Sequence, residues 1–231
     1  MIEQKSEFQQ ILDLEGGPVE YELFVALPNI KMKHQHFPMS VQETEFNYLR
    51  NIISRYNLKS GLEIATAFGV SAVACGLGFK ETNGRLITID AYIEETSNDC
   101  YIYDGQKRTY ENTLGYKSAK HLVEHFSLEN HVKLEVGWSP DDVESILQKN
   151  NVEKLDFVFL DGGHFPGQII KDINAFYPYL SEKNIIVLHD FMPDSYTPEV
   201  LDLIDEKFGK QPQVILPRPM GDFLSVINNF N

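Results

Sequence analysis

Apolar residues along this chain alternate between short continuous runs and helical stripes. The short runs predict β-strands at 61–65, 86–90, 132–136, 155–160 and 184–188. Elsewhere, apolar residues recur every three or four positions, as they do on one face of a helix. These stripes predict helices at 42–56, 70–78, 108–126, 141–149 and 167–179. Strands that alternate with helices indicate βαβ units and a mostly parallel sheet with helices on both faces.

The last part of the chain follows a different pattern. A helical stripe at 198–208 precedes two strand-like runs at 213–216 and 222–227. Because the connection between these runs is short, the two strands can only pair antiparallel. We therefore predict an α/β fold with a Rossmann-like, doubly wound, seven-stranded sheet. The sheet is expected to be mostly parallel, with a C-terminal antiparallel hairpin strand.

Two segments interrupt this alternation. Residues 1–38 contain several Gly and Pro breaks and predict an N-terminal extension that packs on a main domain at 39–231. Residues 91–107 are polar, rich in Tyr and Asp, and separate the second strand from its helix. Open α/β sheets bind ligands beyond the carboxyl ends of their strands. This insertion is therefore either a lid over the substrate or a solvated loop.

Charge and composition narrow the class of partner. The formal net charge of −14 argues against binding to nucleic acids or anionic membranes, and it is compatible with a neutral or cationic small molecule. The two cysteines fit neither a disulfide scaffold nor a paired zinc site. The chain lacks a membrane-length apolar run, and its start lacks the pattern of a signal peptide. The expected location is cytoplasmic.

The predicted turn after the first strand is built from small residues. Ala65, Ala67 and Gly69 would let the backbone approach a ligand, and the next helix would offer free N–H groups. Glu63 could accept a hydrogen bond from an ammonium group, and Ser71 could donate one to a carboxylate. These features match an amino-acid moiety better than a pyrophosphate, and the turn lacks the three-glycine spacing of dinucleotide sites.

The ends of the next two strands carry residues suited to a nucleoside. Asp90 follows the turn by about 20 residues, where a carboxylate meets the ribose hydroxyls of a bound nucleoside. The alternative is that Asp90 caps a helix or is a loop acid. Ser139 is either an adenine contact or the cap of the next helix. Trp138 either stacks on the base or packs within the protein.

The fourth and fifth strands end in acids and histidines. In a parallel sheet these ends are neighbours, so Asp161, His164 and Asp190 can converge. Facing carboxylates repel unless a cation or proton lies between them, which suggests a divalent metal such as Mg²⁺. Alternatively, Asp161 organises its turn and His164 caps the next helix. His189 and Asp190 alternate along their strand and should face opposite sides, so one of them is expected to be structural.

From Met39 to the C-terminus, these motifs resemble the class I S-adenosylmethionine-dependent methyltransferases. The catechol and caffeoyl-coenzyme A O-methyltransferase group is the most similar, with bacterial methyltransferases of sugar and antibiotic tailoring pathways. The resemblance implies S-adenosylmethionine as cofactor and a hydroxylated small molecule as methyl acceptor. Together with the motifs above, it predicts cofactor contacts at Met39, Glu63, Ala65, Gly69, Ser71, Asp90, Trp138, Ser139 and Asp161.

The resemblance also assigns the chemistry. His164 falls where the catechol enzymes carry a Lys that deprotonates the acceptor, so His164 is the predicted general base and Asp161 its catalytic neighbour. Asp161 and Asp190 match two ligands of Mg²⁺ or another divalent cation. Phe191 replaces the third ligand, and Ala65 replaces a glycine of the catechol enzymes.

Two other functions stay open on the sequence. The chain could be a non-catalytic protein that binds a nucleoside or S-adenosylmethionine on the same fold. It could also be a nicotinamide-dependent oxidoreductase, although the turn and the terminal hairpin count against this. A homodimer is a further expectation.

Overall fold

The computed structural model describes residues 41, 43–92, 114–163, 165–190, 197–215 and 224–230. Several sequence predictions lie outside these ranges, namely those made for Met39, His164 and Phe191. The N-terminal extension at 1–38 also lies outside them, as does most of the insertion at 91–107. The predicted domain boundaries therefore stay predictions.

One sheet of seven strands organises the described residues. The strands are β1 (Ser60–Ile64), β2 (Arg85–Asp90), β3 (Val132–Val136), β4 (Leu155–Leu160), β5 (Leu180–His189), β6 (Gln213–Val214) and β7 (Leu224–Asn228). Their order is β3-β2-β1-β4-β5-β7-β6. The first five strands pair parallel, whereas β7 pairs antiparallel with both β5 and β6. This confirms the predicted doubly wound sheet with its antiparallel C-terminal strand.

Helices connect the strands as the alternating pattern predicts. They are α1 (Glu43–Arg55), α2 (Val70–Thr82), α3 (Leu114–His125), α4 (Val143–Lys149), α5 (Pro166–Phe176) and α6 (Pro198–Phe208). A short 3₁₀ turn at Tyr177–Tyr179 follows α5, where the sequence predicts a continuous helix. Strand β5 begins earlier than its apolar run, because residues 181–183 extend the strand while staying partly or fully exposed.

The helices form two layers, one on each face of the sheet. Alternate strand residues point to opposite faces, so Phe157 and Phe159 pack with α1 and α2, while Leu62 and Ile64 pack with α4, α5 and α6. Within the described ranges, each helix is too short or too polar to span a lipid bilayer. Each face of the sheet is thus covered by a buried apolar cluster, and the strand ends lie outside both clusters, where a site can form.

The parallel strands end at one level. Ile64 pairs with both Ile89 and Leu160, and Leu160 pairs with Leu188. The segments that follow β1 to β5 are therefore neighbours along one side of the sheet, which we call the carboxyl edge. Ligand sites of open α/β sheets lie at this edge.

Candidate functional site

The loop from Ala65 to Gly69 joins β1 to α2 at the carboxyl edge. Ala65 and Ala67 have positive φ values of 76° and 46°, and Gly69 has a φ of 89°. A Cβ atom on Gly69 would lie 2.6 Å from the Cα of Ala119, so this position requires glycine. No side chain caps the N-terminus of α2. The predicted turn of small residues is therefore present, and the first N–H groups of α2 lie at its end.

Glu63 lies beneath this loop and is fully buried. The Thr88 hydroxyl donates a hydrogen bond to Glu63 Oε2, and the Thr88 and Thr66 hydroxyl oxygens lie 2.5 Å apart. Burial raises the pKa of Glu63 to about 7, although hydrogen bonds from Ser71 and Thr88 oppose the shift. Glu63 thus supports the loop from below, and its contact with an ammonium group stays a prediction.

Asp90 joins the end of β2 to the same loop. Its Oδ2 accepts a hydrogen bond from the backbone N–H of Ala67 at 2.8 Å, and its Oδ1 accepts one from Tyr92 at 2.6 Å. Burial raises the pKa of Asp90, and these backbone N–H groups partly offset the shift. Each carboxylate oxygen can accept more than one hydrogen bond. The partly exposed Asp90 therefore keeps acceptor capacity for a ligand.

The segment after β3 lies beside Asp90. The backbone N–H of Gly137 donates to the Asp90 carbonyl at 3.0 Å. Trp138 is 50% exposed, so it is not packed in the core. The Ser139 hydroxyl donates to Asp172 Oδ1 at 2.5 Å. Ser139 does not cap the next helix, because the N-cap position of α4 is Asp142.

Asp172 on α5 is a site residue that the sequence analysis missed. It is fully buried, and burial raises the pKa of its carboxyl. Gln168 Nε2 donates to Asp172 Oδ1 and to the Ser139 carbonyl, both at 2.8 Å. The sequence does mark this position, because Asp172 follows Ile169 by three residues and precedes Phe176 by four, which places an acid within an apolar helical stripe.

His189 lies among carboxylates at the end of β5. Its Nδ1 is 2.8 Å from Asp161 Oδ1 and 3.5 Å from Asp190 Oδ2, and its Nε2 is 3.6 Å from Glu45 Oε2. Burial lowers the pKa of His189, but the charge and hydrogen bonding of Asp161, with Glu45, raise it to about 11. The neighbouring carboxylates therefore favour the protonated, positively charged form of His189.

One sequence expectation needs correction here, and one partner of His189 was missed. His189 and Asp190 do not point to opposite sides, because Asp190 has a φ of 51° and leaves the strand geometry. Glu45 was missed as a partner of His189, although it is fully buried on α1. The sequence marks Glu45 as buried, because it precedes Leu49 by four residues and Ile52 by seven and so lies within an apolar helical stripe.

The metal site predicted at Asp161 and Asp190 does not fit the described residues. Across the described ranges, no group of three or more His, Cys, Asp or Glu side chains is arranged to hold a metal ion. The physical reason is His189, whose Nδ1 lies within 3.5 Å of both predicted ligands and supplies the positive charge. No chemical step is therefore assigned to a metal.

The carboxyl edge brings together most of the predicted residues that are described. The charges of Asp161 and Asp90 both raise the pKa of Glu63, which reflects the closeness of the three carboxyls. The edge thus combines a loop of small residues, a helix N-terminus, partly exposed acids and an exposed indole. This set suits a polar ligand with an amino-acid part and a nucleoside part.

A comparison with known protein families gives the family of the chain. A family described as "Methyltransferase domain" matches residues 62–191, which is more than half of the 231-residue chain. The matched range runs from β1 to the residue after Asp190. It therefore covers the loop, Asp90, Ser139, Asp161 and His189.

Solved structures of methyltransferases share the fold. An O-methyltransferase from Bacillus cereus in complex with S-adenosylhomocysteine has a TM-score of 0.58 and 16% identity, over 99% of this chain and 93% of that chain. The O-methyltransferase TomG from Streptomyces achromogenes, involved in tomaymycin synthesis and bound to S-adenosylmethionine, has a TM-score of 0.54 and 16% identity, over 97% and 91%. A Podospora anserina methyltransferase bound to S-adenosylhomocysteine has a TM-score of 0.52 and 16% identity, over 82% of this chain and 79% of that chain.

Proposed function

Because the chain belongs to the methyltransferase-domain family, we propose that it transfers a methyl group from S-adenosylmethionine to a hydroxyl oxygen of a small molecule. One observation carries the proposal. Asp90, the predicted ribose acid, accepts a hydrogen bond from Ala67 N at 2.8 Å. The carboxylate proposed to bind the ribose and the loop proposed to hold the amino-acid part are therefore linked by a hydrogen bond at the carboxyl edge.

The nucleoside part of the cofactor lies along the ends of β2 and β3 in this proposal. Asp90 accepts hydrogen bonds from the ribose hydroxyls with its remaining lone pairs. Ser139 contacts the adenine ring, and Trp138 covers the base with an indole that is 50% exposed. An aromatic side chain with one exposed face is well placed to stack on a base.

The amino-acid part lies over the loop after β1. The uncapped N-terminus of α2 presents N–H groups to the carboxylate, with Ser71 in its first turn. Ala65 and Gly69 keep the loop free of bulky side chains, and Met39 is proposed to cover the methionine moiety. Asp161, next to the buried Glu63 carboxyl, is proposed to receive the ammonium group.

Catalysis needs little covalent chemistry from the protein, because S-adenosylmethionine supplies an already activated methyl group. The chain must align the acceptor oxygen with that methyl group and exclude water. His164 is the proposed base that takes the hydroxyl proton, a role suited to a group titrating near neutral pH. Asp161 Oδ1 lies 2.8 Å from His189 Nδ1, and in this proposal the contact orients the Asp161 carboxylate while the acceptor binds.

The decisive experiment compares two acids at opposite edges of the sheet. Asp90 and Asp156 each accept two backbone hydrogen bonds, Asp156 from Lys59 and Ser60 at 2.8 and 3.0 Å. Calorimetry with S-adenosylhomocysteine should show binding to the wild type that weakens about 10- to 100-fold in Asp90→Ala, because one or more hydrogen bonds to a charged group are lost. Asp156→Ala should keep the wild-type affinity.

The same proteins are then assayed for methyl transfer to a panel of hydroxylated small molecules. Turnover by the wild type supports the enzyme, whereas binding of S-adenosylhomocysteine without turnover on any acceptor supports a non-catalytic binding protein. An unchanged affinity in Asp90→Ala, or an equal loss in Asp156→Ala, would show that the ribose assignment is wrong. A titration with NAD serves as the control for an oxidoreductase.

A further inference from the structure

The solvent-facing side of α3 carries two histidines that the proposed function does not use. His121 and His125, which we call the histidine pair, are both exposed and lie four residues apart at the end of α3. Side chains at this spacing lie one above the other on the same face of a helix. Leu122 and Val123, which lie between them in sequence, are buried in the apolar cluster on one face of the sheet. The two imidazoles are therefore neighbours on the outer face of α3.

The two rings lie at a separation that one metal ion can bridge. Their centroids are 6.1 Å apart, and their planes are inclined by 35°. An imidazole nitrogen lies about 2 Å from a bound Zn²⁺, so two rings that share one ion have centroids about 5–6 Å apart. The ring of His125 also packs edge-on against Phe126, with centroids 4.8 Å apart. A small rotation of the exposed His121 ring is then enough for both rings to reach one ion.

The ring nitrogens of the histidine pair are available to a metal ion. Within the described part of the chain, neither imidazole takes part in a hydrogen bond or an ion pair. The other two described histidines differ, because His131 Nδ1 lies 2.9 Å from the Gly84 carbonyl oxygen and His189 lies among carboxylates. Glu124 lies beside the pair, and its carboxylate is 3.9 Å from Lys120 Nζ. The pair therefore supplies two imidazole ligands and no charged one.

We propose that the histidine pair binds a transition-metal dication such as Zn²⁺ or Cu²⁺. Two histidines at this spacing on one helix face are a known pair of zinc ligands. Imidazole suits Zn²⁺, Cu²⁺ and Ni²⁺, whereas Mg²⁺ prefers oxygen ligands. In the described ranges, no third His, Cys, Asp or Glu side chain joins them, so water completes the coordination. The site is separate from the carboxyl edge and does not depend on the proposed methyl transfer.

A metal ion at the histidine pair acts on the helix that braces the loop after β1. It ties two successive turns of α3 together, and the unfolded chain does not hold the two rings in this arrangement. Elsewhere on the same helix, the Ser118 hydroxyl donates to the Phe68 carbonyl oxygen at 2.9 Å. Ala119 packs closely against Gly69 in that loop. The ion therefore stabilises the element that holds the loop in place.

The first test measures metal affinity. Zn²⁺ is titrated calorimetrically into untagged protein from which metals have been removed with a chelator. The wild type should bind Zn²⁺ with a Kd on the order of 10 µM, because two protein ligands hold zinc less tightly than the four of a structural site, and Cu²⁺ should bind more tightly. His121→Ala and His125→Ala should each weaken this binding about 10-fold or more. His131→Ala should keep it, as should His34→Ala/His36→Ala, which removes another closely spaced pair in the sequence.

The second test measures the effect of the ion on stability. With Zn²⁺ at about ten times its Kd, the midpoint of urea unfolding of the wild type should rise by about 0.5 M. His121→Ala should abolish this rise. Ala forms helices better than His, so the metal-free variant should be at least as stable as the metal-free wild type.

Three results would overturn the inference, and each leaves the proposed function standing. The first is a wild type that binds neither Zn²⁺ nor Cu²⁺. The second is undiminished Zn²⁺ binding in both His121→Ala and His125→Ala, which would place the ion elsewhere on the chain. The third is Zn²⁺ binding by the wild type with an unchanged midpoint of urea unfolding, which would show that the ion does not stabilise α3.

Discussion

Gly69→Ala tests the packing that shapes the loop after β1. Gly69 has a φ of 89°, a conformation in which an L side chain costs about 1–2 kcal/mol. The added Cβ would also lie 2.6 Å from the Cα of Ala119 on α3, and such overpacking costs about 1–3 kcal/mol. Together these effects predict that the free energy of unfolding falls by about 2–5 kcal/mol.

Gly209 provides a matched control. It follows α6 with a φ of 64°, and a Cβ atom there would meet nothing within 4 Å. Gly209→Ala should therefore lower the free energy of unfolding by only the backbone contribution, about 1–2 kcal/mol. The difference between the two variants isolates the close approach of the loop to α3.

Urea unfolding followed by circular dichroism gives the free energy of unfolding for each variant from the midpoint and the slope. Calorimetry with S-adenosylhomocysteine on the folded proteins should show weaker binding in Gly69→Ala and unchanged binding in Gly209→Ala. The packing argument would be refuted if Gly69→Ala were no less stable than Gly209→Ala.

Three further predictions concern single side chains. His164→Ala should lower methyl-transfer turnover by about 100-fold, because a general base is lost, and affinity for S-adenosylhomocysteine should stay within about twofold by calorimetry. Ala65→Gly should raise the free energy of unfolding in urea by about 1 kcal/mol, because the φ of 76° disfavours a Cβ atom; a loss of stability would contradict this. Burial raises the pKa of Glu63 from 4.5 to about 7, so the native state binds this proton more tightly than the unfolded state. The free energy of unfolding of the wild type should therefore fall as the pH rises from 4.5 to about 7. Because Gln does not ionise, Glu63→Gln should gain stability relative to the wild type over this range in urea unfolding, and a pH-independent difference between the two proteins would refute the prediction.

The fold was predictable because it depends on local patterns. Apolar runs alternating with helical stripes predict a parallel sheet, and a short connection predicts the antiparallel end. Asp90 and Asp161 were also predictable as neighbours, because each directly follows or ends a parallel strand and such ends meet at one edge. The exact strand bounds were less predictable, as the exposed start of β5 shows.

The side-chain partners within the site were not predictable from spacing. Ser139 and Asp172 are 33 positions apart, and their hydrogen bond depends on how α5 packs against the segment after β3. Likewise, the contact of His189 with Glu45 needs α1 and β5 in place together. In both cases an acid within an apolar helical stripe was a local signal, because a buried carboxylate requires a partner. An acid at such a position therefore predicts a buried carboxylate with a polar partner on a neighbouring element.

The most direct test of the central claim uses Trp138, the one tryptophan of the chain. Its indole is 50% exposed after β3 and is proposed to cover the adenine of the cofactor. Titration with S-adenosylhomocysteine should produce a saturable change in tryptophan fluorescence with one site per chain, and S-adenosylmethionine should compete for it. Calorimetric binding of S-adenosylhomocysteine with no change in Trp138 emission would place the ligand elsewhere and contradict the account.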